Sequence, residues 1–302
     1  MALERYLANE VALDFTDGII TRRDALRRLA LMGLSASAAG ALLAACAKQK
    51  DEGNPAIVGG PSSPAATTST AAPAPRATSA GNAEAITVPG PSGTVQGVFG
   101  GTGTKGSVLV IHENRGLTDH IKSVAGRLVG DGYAALAVDL LSPEGGTDKV
   151  SDPPSALSAA PVERLVGDMK AGLDELDRRM PGKKLGVTGF CFGGGMVWQL
   201  LNAGDPRLEV AVPFYGPAPA APDFSRTKAA VFAVYAEDDS FVNPTRDAAV
   251  AALEKRGGPH QEKTYAGTQH AFFNDTGPRY NAAAAAEAYS DLLAWFGKYL
   301  SA

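Results

Sequence analysis

The sequence predicts an α/β protein whose mostly parallel, doubly wound sheet is covered by helices on both faces. Over residues 84–302, short apolar runs typical of buried strands alternate with stretches of helical periodicity. Strands that alternate with helices imply right-handed crossover connections, and these make neighbouring strands parallel. One apolar run, 184–188, leads through a glycine-rich stretch, 189–195, directly into a helical pattern. With 302 residues and 45% hydrophobic content, the chain can bury a full core.

The predicted elements follow one another in a regular order. The first two strands flank a turn rich in proline and glycine, which predicts an antiparallel pair. The predicted strands cover residues 86–88, 95–99, 107–111, 134–138, 184–188, 210–215, 230–235 and 262–265. The predicted helices cover residues 119–129, 161–179, 196–201, 244–256 and 281–299.

Charge and cysteine content exclude two classes of protein. The formal net charge of −4 leaves no basic excess suited to nucleic acid. The two cysteines, Cys46 and Cys191, lie far apart in very different sequence contexts, which argues against a disulfide framework. Each cysteine therefore needs its own explanation.

The first 45 residues carry the features of an export signal. The pair Arg22 and Arg23 precedes an uncharged run, 29–45, that is rich in alanine, glycine and serine and is marginal in length for a membrane span. This pattern resembles a twin-arginine signal, and the ending Leu-Ala-Ala-Cys resembles a bacterial lipobox. We therefore expect residues 1–45 to be removed and Cys46 to carry a lipid that anchors the exported protein in the cell envelope. The alternative is an amphipathic basic helix.

Residues 46–83 are predicted to be the lipidated cysteine and a tether. Alanine, proline, serine, threonine and glycine dominate this stretch, and large apolar side chains are almost absent. Such a composition cannot bury enough surface to offset the entropy of ordering. The folded domain is therefore expected over residues 84–302.

The stretch Gly189-Phe190-Cys191-Phe192-Gly193 is the strongest local signal for chemistry. Its spacing is that of the G-x-S-x-G nucleophile elbow of α/β-hydrolases, with a thiol in place of the hydroxyl. Small residues on both sides let the chain turn sharply and hold the central side chain up. The alternative is an inert buried cysteine, since cysteine is among the most buried residue types.

A nucleophile on an elbow needs a base, and the base needs an orienting acid. In α/β-hydrolases the chain order is nucleophile, acid, base. Asp238 and Asp239 follow the strand predicted at 230–235, and either can be the acid. Of the four histidines, His270 follows the last predicted strand and precedes the last predicted helix, where this fold delivers a base.

These motifs in this order resemble the dienelactone hydrolase (carboxymethylenebutenolidase) family from residue 86 to the C-terminus. The resemblance implies an α/β-hydrolase fold with Cys191 as nucleophile, His270 as base and Asp239 as acid. In the family, the acid lies three residues after a turn glycine. Here Ala236 stands in place of that glycine, three residues before Asp239. The motifs that carry the resemblance span residues 112–117, 189–195, 213–217, 235–239 and 267–272.

The resemblance also implies roles for residues around the nucleophile. A glutamate at the position of Glu113 contacts the resting thiol in the family and controls its activation; the alternative here is a surface glutamate that caps the next helix. The backbone N–H groups of Phe192 and Asn114 are expected to form the oxyanion hole. Tyr215, in the motif Pro-Phe-Tyr-Gly-Pro, is expected to contact substrate.

One arginine that the family resemblance leads us to expect near the substrate is missing from this sequence. The family binds a substrate carboxylate through two arginines, and Asn274 stands at the position of one of them. This replacement predicts a weaker preference for anionic substrates. Arg115, Arg164 and Arg279 are candidates to compensate, and Arg115 can instead pair with Glu113.

The sequence therefore predicts a lipid-anchored hydrolase that cleaves a small lactone or activated ester through a Cys191 thioester. No metal ion or organic cofactor is expected, nor any nucleic-acid partner, and the oligomeric state is left open. One alternative is a thiol redox protein, although no second cysteine lies near Cys191 in sequence to resolve an oxidised thiol. The other alternative is a binding lipoprotein that has kept the fold without catalysis.

Overall fold

The computed structural model describes residues 3–52 and 83–301. Eight strands form one sheet in the order β1-β2-β4-β3-β5-β6-β7-β8. The strands are β1 (Glu84–Gly90), β2 (Gly93–Gly100), β3 (Ser107–Ile111), β4 (Ala134–Asp139), β5 (Leu185–Phe190), β6 (Leu208–Phe214), β7 (Ala230–Asp238) and β8 (His260–Gln269). The described helices are α1 (Leu3–Thr16), α2 (Arg22–Leu31), α3 (Ala36–Glu52), α4 (Asp119–Gly130), α5 (Pro153–Ala159), α6 (Val162–Arg179), α7 (Phe192–Ala203), α8 (Arg246–Arg256) and α9 (Ala282–Tyr299).

The sheet has an antiparallel edge and a parallel body. β1 pairs with β2 and β2 with β4 in antiparallel register, whereas every pairing from β4 through β3 to β8 is parallel. The chain moves one way from β3 to β4 and the other way from β4 to β5 and β6. Since crossovers are right-handed, α4 lies on one face and α6 and α7 lie on the other. The predicted fold class, a mostly parallel α/β-hydrolase sheet covered on both faces, is confirmed.

The body of the sheet is apolar because both of its faces are covered. All residues of β3, β4 and β5 are buried, which explains why these strands appear in the sequence as continuous apolar runs. By contrast, β8 is an edge strand with mostly polar, exposed residues. The sequence prediction, 262–265, is therefore too short for β8. It also missed α5, a seven-residue helix that begins with two prolines.

Three helices precede the domain and pack together. α1, α2 and α3 share an apolar cluster formed by Ala8, Val11, Ala12, Ala25, Leu29, Ala39, Leu43 and Cys46. Tyr6 and Leu7 of α1 belong instead to the main core of the domain, so α1 joins the two clusters. The cleavage predicted before Cys46 falls within α3, where the Cys46 side chain is 5% exposed. Signal removal and lipidation remain predictions.

The predicted tether, residues 46–83, lies mostly outside the described residues, and its first part, 46–52, belongs to α3. Across 3–52 and 83–301, none of the helices combines the length and the apolar character that crossing a membrane requires.

A single residue makes the turn between β5 and α7. β5 ends at Phe190 and α7 begins at Phe192, and Cys191 between them has φ 56° and ψ −119°, a backbone conformation that costs a non-glycine residue energy. The turn closes tightly enough that a Cβ atom on Gly189 would collide with the carbonyl oxygen of Gly193. Helix α7 can therefore sit close to the sheet only with glycine at these positions.

We predict that Gly189→Ala lowers the free energy of unfolding by about 1–3 kcal/mol, the usual cost of overpacking a core. The matched control is Gly297→Ala in α9, where an added Cβ meets no atom within 4 Å and alanine favours the helix. Urea denaturation of both variants measures the difference. Equal stability of the two variants would show that the turn is not under this packing constraint.

Candidate active site

Cys191 stands at the N-terminus of α7 with its thiol facing the loops that follow the parallel strands. Its backbone N–H donates to the carbonyl oxygen of Phe214 at 3.1 Å, which ties the turn to β6. The N–H of Phe192 hydrogen-bonds to the thiol. Cys191 is 2% exposed, so the thiol lies beneath other residues and not at the open surface.

The loops after β7 and β8 bring an acid and an imidazole together beside the thiol. His270 Nδ1 and Asp239 Oδ2 are 2.6 Å apart, and both side chains are buried. Asp239 Oδ1 accepts from the backbone N–H of Val242 at 3.0 Å, which fixes the carboxylate. Asp238 is exposed to solvent. Of the two candidate acids, Asp239 is therefore the one bonded to the histidine.

Tyr215 packs beside the imidazole. The ring centroids of Tyr215 and His270 are 5.1 Å apart in an edge-on arrangement, and Phe272 contacts the other side of Tyr215 at 5.5 Å. Tyr215 has φ 32° and is fully buried, and its hydroxyl has no hydrogen-bond partner among the described residues. The residue predicted to bind substrate thus lies against the base and supports its ring.

The loop after β3 carries Glu113 and Asn114 and is held by a buried histidine. His112 Nδ1 lies 2.7 Å from the carbonyl oxygen of Glu113, and His112 Nε2 accepts from the N–H of Leu140 at 3.0 Å. Burial lowers the pKa of His112, because the charged imidazolium would be desolvated. A neutral His112 therefore donates from Nδ1 and fixes the loop, and Asn114 lines the cavity that contains Cys191.

Glu113 is bonded to Asn274 and not to the thiol. Its Oε2 accepts from Asn274 Nδ2 at 2.6 Å, whereas the Cys191 thiol donates to Oε2 of Glu10 at 3.4 Å. The family resemblance led us to expect Glu113 at the thiol, and in this structure Glu10 of α1 is the carboxylate hydrogen-bonded there. Asn274, predicted as a substrate contact, orients Glu113.

Two residues that the sequence analysis missed lie in the centre of the site. The Tyr6 hydroxyl is 3.1 Å from Cys191 Sγ and 3.2 Å from His270 Nε2, and Glu10 Oε1 is 3.3 Å from the same nitrogen. Both residues were overlooked because the N-terminal segment was assigned to an export signal. Acidic residues at helical spacing in residues 3–16 were the available clue.

A cavity of about 450 Å³ opens beside the thiol. Arg115 donates to Asp14 Oδ1 at 3.2 Å, so Arg115 pairs with α1 and not with Glu113. Arg279 Nε lies 2.9 Å from Asp17 Oδ2. Arg164 bonds elsewhere, to the carbonyl oxygen of Leu140 and to Glu144. The cavity is lined by Glu10, Asp14, Glu113, Arg115, Cys191 and Arg279, among others.

Burial and charge together keep the thiol protonated in this arrangement. Desolvation, followed by the negative charges of Glu10 and Glu113, raises the pKa of the Cys191 thiol well above its ordinary value. Burial alone would lower the pKa of His270, but the carboxylates of Glu10 and Asp239 outweigh burial and raise it. The site therefore favours a neutral thiol beside a protonated imidazole.

Three of these groups could also hold a metal ion. The ligand atoms of Glu10, Cys191 and His270 lie within 4.8 Å of one another, and the other ring nitrogen of His270 is bonded to a carboxylate. Thiolate, imidazole and carboxylate are a donor set that suits Zn²⁺. In the described part of the chain, Glu10, Cys191 and His270 are the group whose geometry allows metal binding.

Comparison with known proteins decides the family. The sequence profile described as the dienelactone hydrolase family matches residues 98–300. The chain belongs to the dienelactone hydrolase family. The matched range contains every predicted catalytic residue of this family member and excludes α1, α2 and α3.

Similar proteins include two from named bacteria and one of known structure from metagenomic libraries. The protein named "Putative carboxymethylenebutenolidase" from Escherichia coli is 30% identical over 211 residues, which cover 64% of this chain and 76% of that one. "Protein usf" from Aquifex pyrophilus is 32% identical over 218 residues, covering 67% of this chain and 90% of that one. A crystal structure of a dienelactone hydrolase-like promiscuous phosphotriesterase from metagenomic libraries is 27% identical with a TM-score of 0.62, covering 74% and 100% of the two chains.

We predict that the stability of the full-length chain falls as pH rises above about 6.5, the ordinary pKa of histidine. The folded-state pKa of His270 lies above its ordinary value, so its stabilising contribution is complete below about pH 6.5 and is lost as pH rises through the folded-state pKa. Glu10→Gln removes the strongest of the charges that raise this pKa. Differential scanning calorimetry should therefore show a flatter dependence of Tm on pH in Glu10→Gln. Parallel curves would contradict the assignment.

Proposed function

We propose that this protein hydrolyses a small lactone or an activated carboxylic ester through a cysteinyl acyl-enzyme formed by Cys191, His270 and Asp239. The observation that carries the proposal is the 2.6 Å pairing of His270 and Asp239 next to a cysteine on a strained strand-to-helix turn. Membership of a hydrolase family supports the same reaction class.

The acylation step requires a neutral imidazole, which is favoured once Glu10, the strongest of the charges that raise the pKa of His270, has left the site. His270 Nε2 then takes the proton of the Cys191 thiol, and the sulfur attacks the carbonyl carbon of the substrate. The negative charge that develops on the carbonyl oxygen is stabilised by the backbone N–H groups of Phe192 and Asn114. The C–O bond to the leaving oxygen then breaks, and His270 returns the proton to that oxygen. In a lactone the leaving oxygen stays attached through the opened ring.

In the deacylation step, water replaces the leaving oxygen. His270 removes a proton from the water as its oxygen attacks the thioester carbon, and the proton passes to the departing sulfur of Cys191. The products are a carboxylic acid and a hydroxyl group, and the thiol is restored. Asp239 holds the imidazole in the tautomer that exposes Nε2 and stabilises the imidazolium that forms in both steps.

The charges of the cavity bear on the class of substrate. Arg115 and Arg279 both line the cavity that contains Cys191, whereas Asn274 is bonded to Glu113. The two arginines are therefore the groups available for a substrate carboxylate. The weaker preference for anionic substrates inferred from Asn274 remains a prediction, to be measured with one lactone as its free acid and as its methyl ester.

Phosphotriester hydrolysis is a second candidate activity. The relative that carries this activity in its name is 27% identical, and the whole of its chain is matched. A thiol nucleophile with an adjacent base can attack phosphorus as well as carbon, provided that the cavity accepts a tetrahedral substrate. A phosphotriester in the substrate panel tests this activity directly.

We predict that Cys191→Ala, His270→Ala and Asp239→Asn each lower kcat/KM for p-nitrophenyl esters and lactones by about three orders of magnitude or more. Residues that act as one unit lose activity non-additively, so a double variant at positions 191 and 270 should be little worse than either single variant. Steady-state kinetics gives these values, and rapid quenching with intact mass should detect the acyl adduct on Cys191.

Asp238→Asn is the matched control, since it makes the same chemical change at the exposed neighbour. It should keep near-normal activity. Full activity in Asp239→Asn would remove the proposed triad. A thiol peroxidase activity without ester turnover would favour the redox alternative, and ligand binding without turnover would favour the binding alternative.

We also propose export and lipid anchoring of the mature protein, on the strength of the Arg22 and Arg23 pair and the lipobox-like residues before Cys46. Lipidation requires the Cys46 thiol to leave the apolar cluster of α1, α2 and α3 in which it is buried. The proposal therefore implies that this cluster opens before processing.

Intact mass of protein extracted from bacterial membranes is expected to show a diacylglyceryl adduct on a chain that begins at Cys46. Cys46→Ser should abolish the adduct and release the protein from membranes. Arg22→Lys with Arg23→Lys should block export. A full-length, unmodified chain in the wild-type sample would overturn the proposal.

A further inference from the structure

Helix α1 occupies the position at which a substrate must bind. The Tyr6 hydroxyl hydrogen-bonds both Cys191 Sγ and His270 Nε2, so it stands between the nucleophile and the base. Glu10 contacts the same two atoms from the next turn of the helix, with Oε2 at the sulfur and Oε1 at the nitrogen. A carbonyl group cannot reach Cys191 while these two side chains stay in place.

α1 and the residue that follows it carry two further carboxylates. Asp14 lies four residues after Glu10, which places both on one side of the helix. Asp17 comes directly after the last residue of α1, and its backbone N–H still donates to the carbonyl oxygen of Leu13 at 2.9 Å. Asp14 meets Arg115 at 3.2 Å, and Asp17 meets Arg279 at 2.9 Å. These are the two arginines of the cavity that could hold an acidic substrate. The helix therefore presents to the site the groups that an anionic ligand would present.

Packing holds α1 in this position. Tyr6 and Leu7 are fully buried in the main core, and α2 adds a contact at 3.6 Å between Arg28 Nε and Asp152 Oδ1. The docked state also has a cost, because Asp14 Oδ2 is buried without a hydrogen-bond partner among the described residues. α1 has its own apolar cluster with α2 and α3, so the three helices can separate from the domain as one unit.

We propose that α1 is an internal, substrate-mimicking ligand of the active site and that it keeps the full-length chain inactive until the helix leaves. The raised pKa of the Cys191 thiol agrees with this, since a protonated thiol is a poor nucleophile. The inference rests on the proposed hydrolase function for its biological meaning. It does not rest on that function for its test, because the accessibility of the thiol can be measured without a substrate.

The proposal connects the predicted cleavage before Cys46 with the docking of α1 at the active site. Cleavage before Cys46 would remove α1 and α2 entirely, along with residues 36–45 of α3, which include Ala39 and Leu43 of the shared cluster. Until then, covalent linkage keeps the local concentration of α1 at the site high, so that even modest intrinsic affinity suffices for occupancy. The cut before Cys46 would therefore also make the enzyme active.

The first test measures the rate at which iodoacetamide alkylates Cys191 in full-length protein, with the modified peptide identified by mass spectrometry. Leu7→Asp places a charge on the buried side of α1 and should raise the rate at least about tenfold, the factor given by about 1.4 kcal/mol of lost docking free energy. Leu31→Asp, on a side chain that is 62% exposed, is the matched control and should leave the rate unchanged. Equal rates in both variants would overturn the proposal.

A second variant guards against misfolding of Leu7→Asp. Asp14 is buried but belongs to neither apolar cluster. Asp14→Arg turns the ion pair with Arg115 into a repulsion, and it should raise the alkylation rate in the same way. Glu254→Arg makes the same charge change at an exposed position of α8 and serves as its control. A rate that stays at the wild-type value in Asp14→Arg counts against the proposal.

The rate of ester hydrolysis then distinguishes an α1 that blocks the active site from an α1 that takes part in catalysis. Tyr6→Phe and Glu10→Gln should raise kcat/KM for the esters that the enzyme accepts, because each loosens the contact with Cys191 and His270. A large loss of kcat would show that α1 takes part in catalysis and would overturn the proposal. If alkylation of Cys191 accelerates and no variant cleaves an ester, the proposal that α1 occupies the site is supported and the proposed reaction is wrong.

Discussion

The tight turn at Cys191 is the constraint on which the rest of the site depends. The residue has a positive φ, and glycines at 189 and 193 let α7 approach the sheet. The turn fixes the thiol at the carboxyl edge of the parallel strands, where the loops after β3, β7 and β8 begin. The base, the acid and the oxyanion donors lie on these loops and on α7, so they can converge on the sulfur because the turn holds it at this edge.

Around the Cys191 turn, two sets of contacts hold the other residues of the site. Asp239 and Tyr215 hold the imidazole of His270, and His112 holds the loop that carries Glu113 and Asn114. Asp239 and His112 are buried, and both are hydrogen-bonded to backbone groups of nearby loops. Helix α1 is different, since it meets the site through side chains and lies outside the range matched by the family. The range matched by the family thus contains Cys191, Asp239 and His270, and α1 lies outside it.

The fold and the frame of the site could be predicted from the sequence, and the cover could not. Strands β3 to β7 have both faces covered, so their apolar runs mark them clearly, and the order of Cys191, the acidic pair and His270 along the chain follows from the fold. The preference for Asp239 over Asp238 rested on resemblance, because both follow the same strand. The structure puts Asp239 on the imidazole and leaves Asp238 in solvent.

The contact of α1 with the site depends on long-range packing that no local pattern records. A basic pair and an apolar run predict an export signal whether or not the segment also folds against a domain. In the docked arrangement Arg22 and Arg23 lie at the exposed start of α2, while Tyr6 and Glu10 are buried. Under the proposed export, a receptor that reads the arginine pair can therefore bind the chain while α1 still contacts Cys191. Recognition by that receptor and departure of α1 are then separable in time, and the order of the two events would determine in which compartment the thiol first meets water.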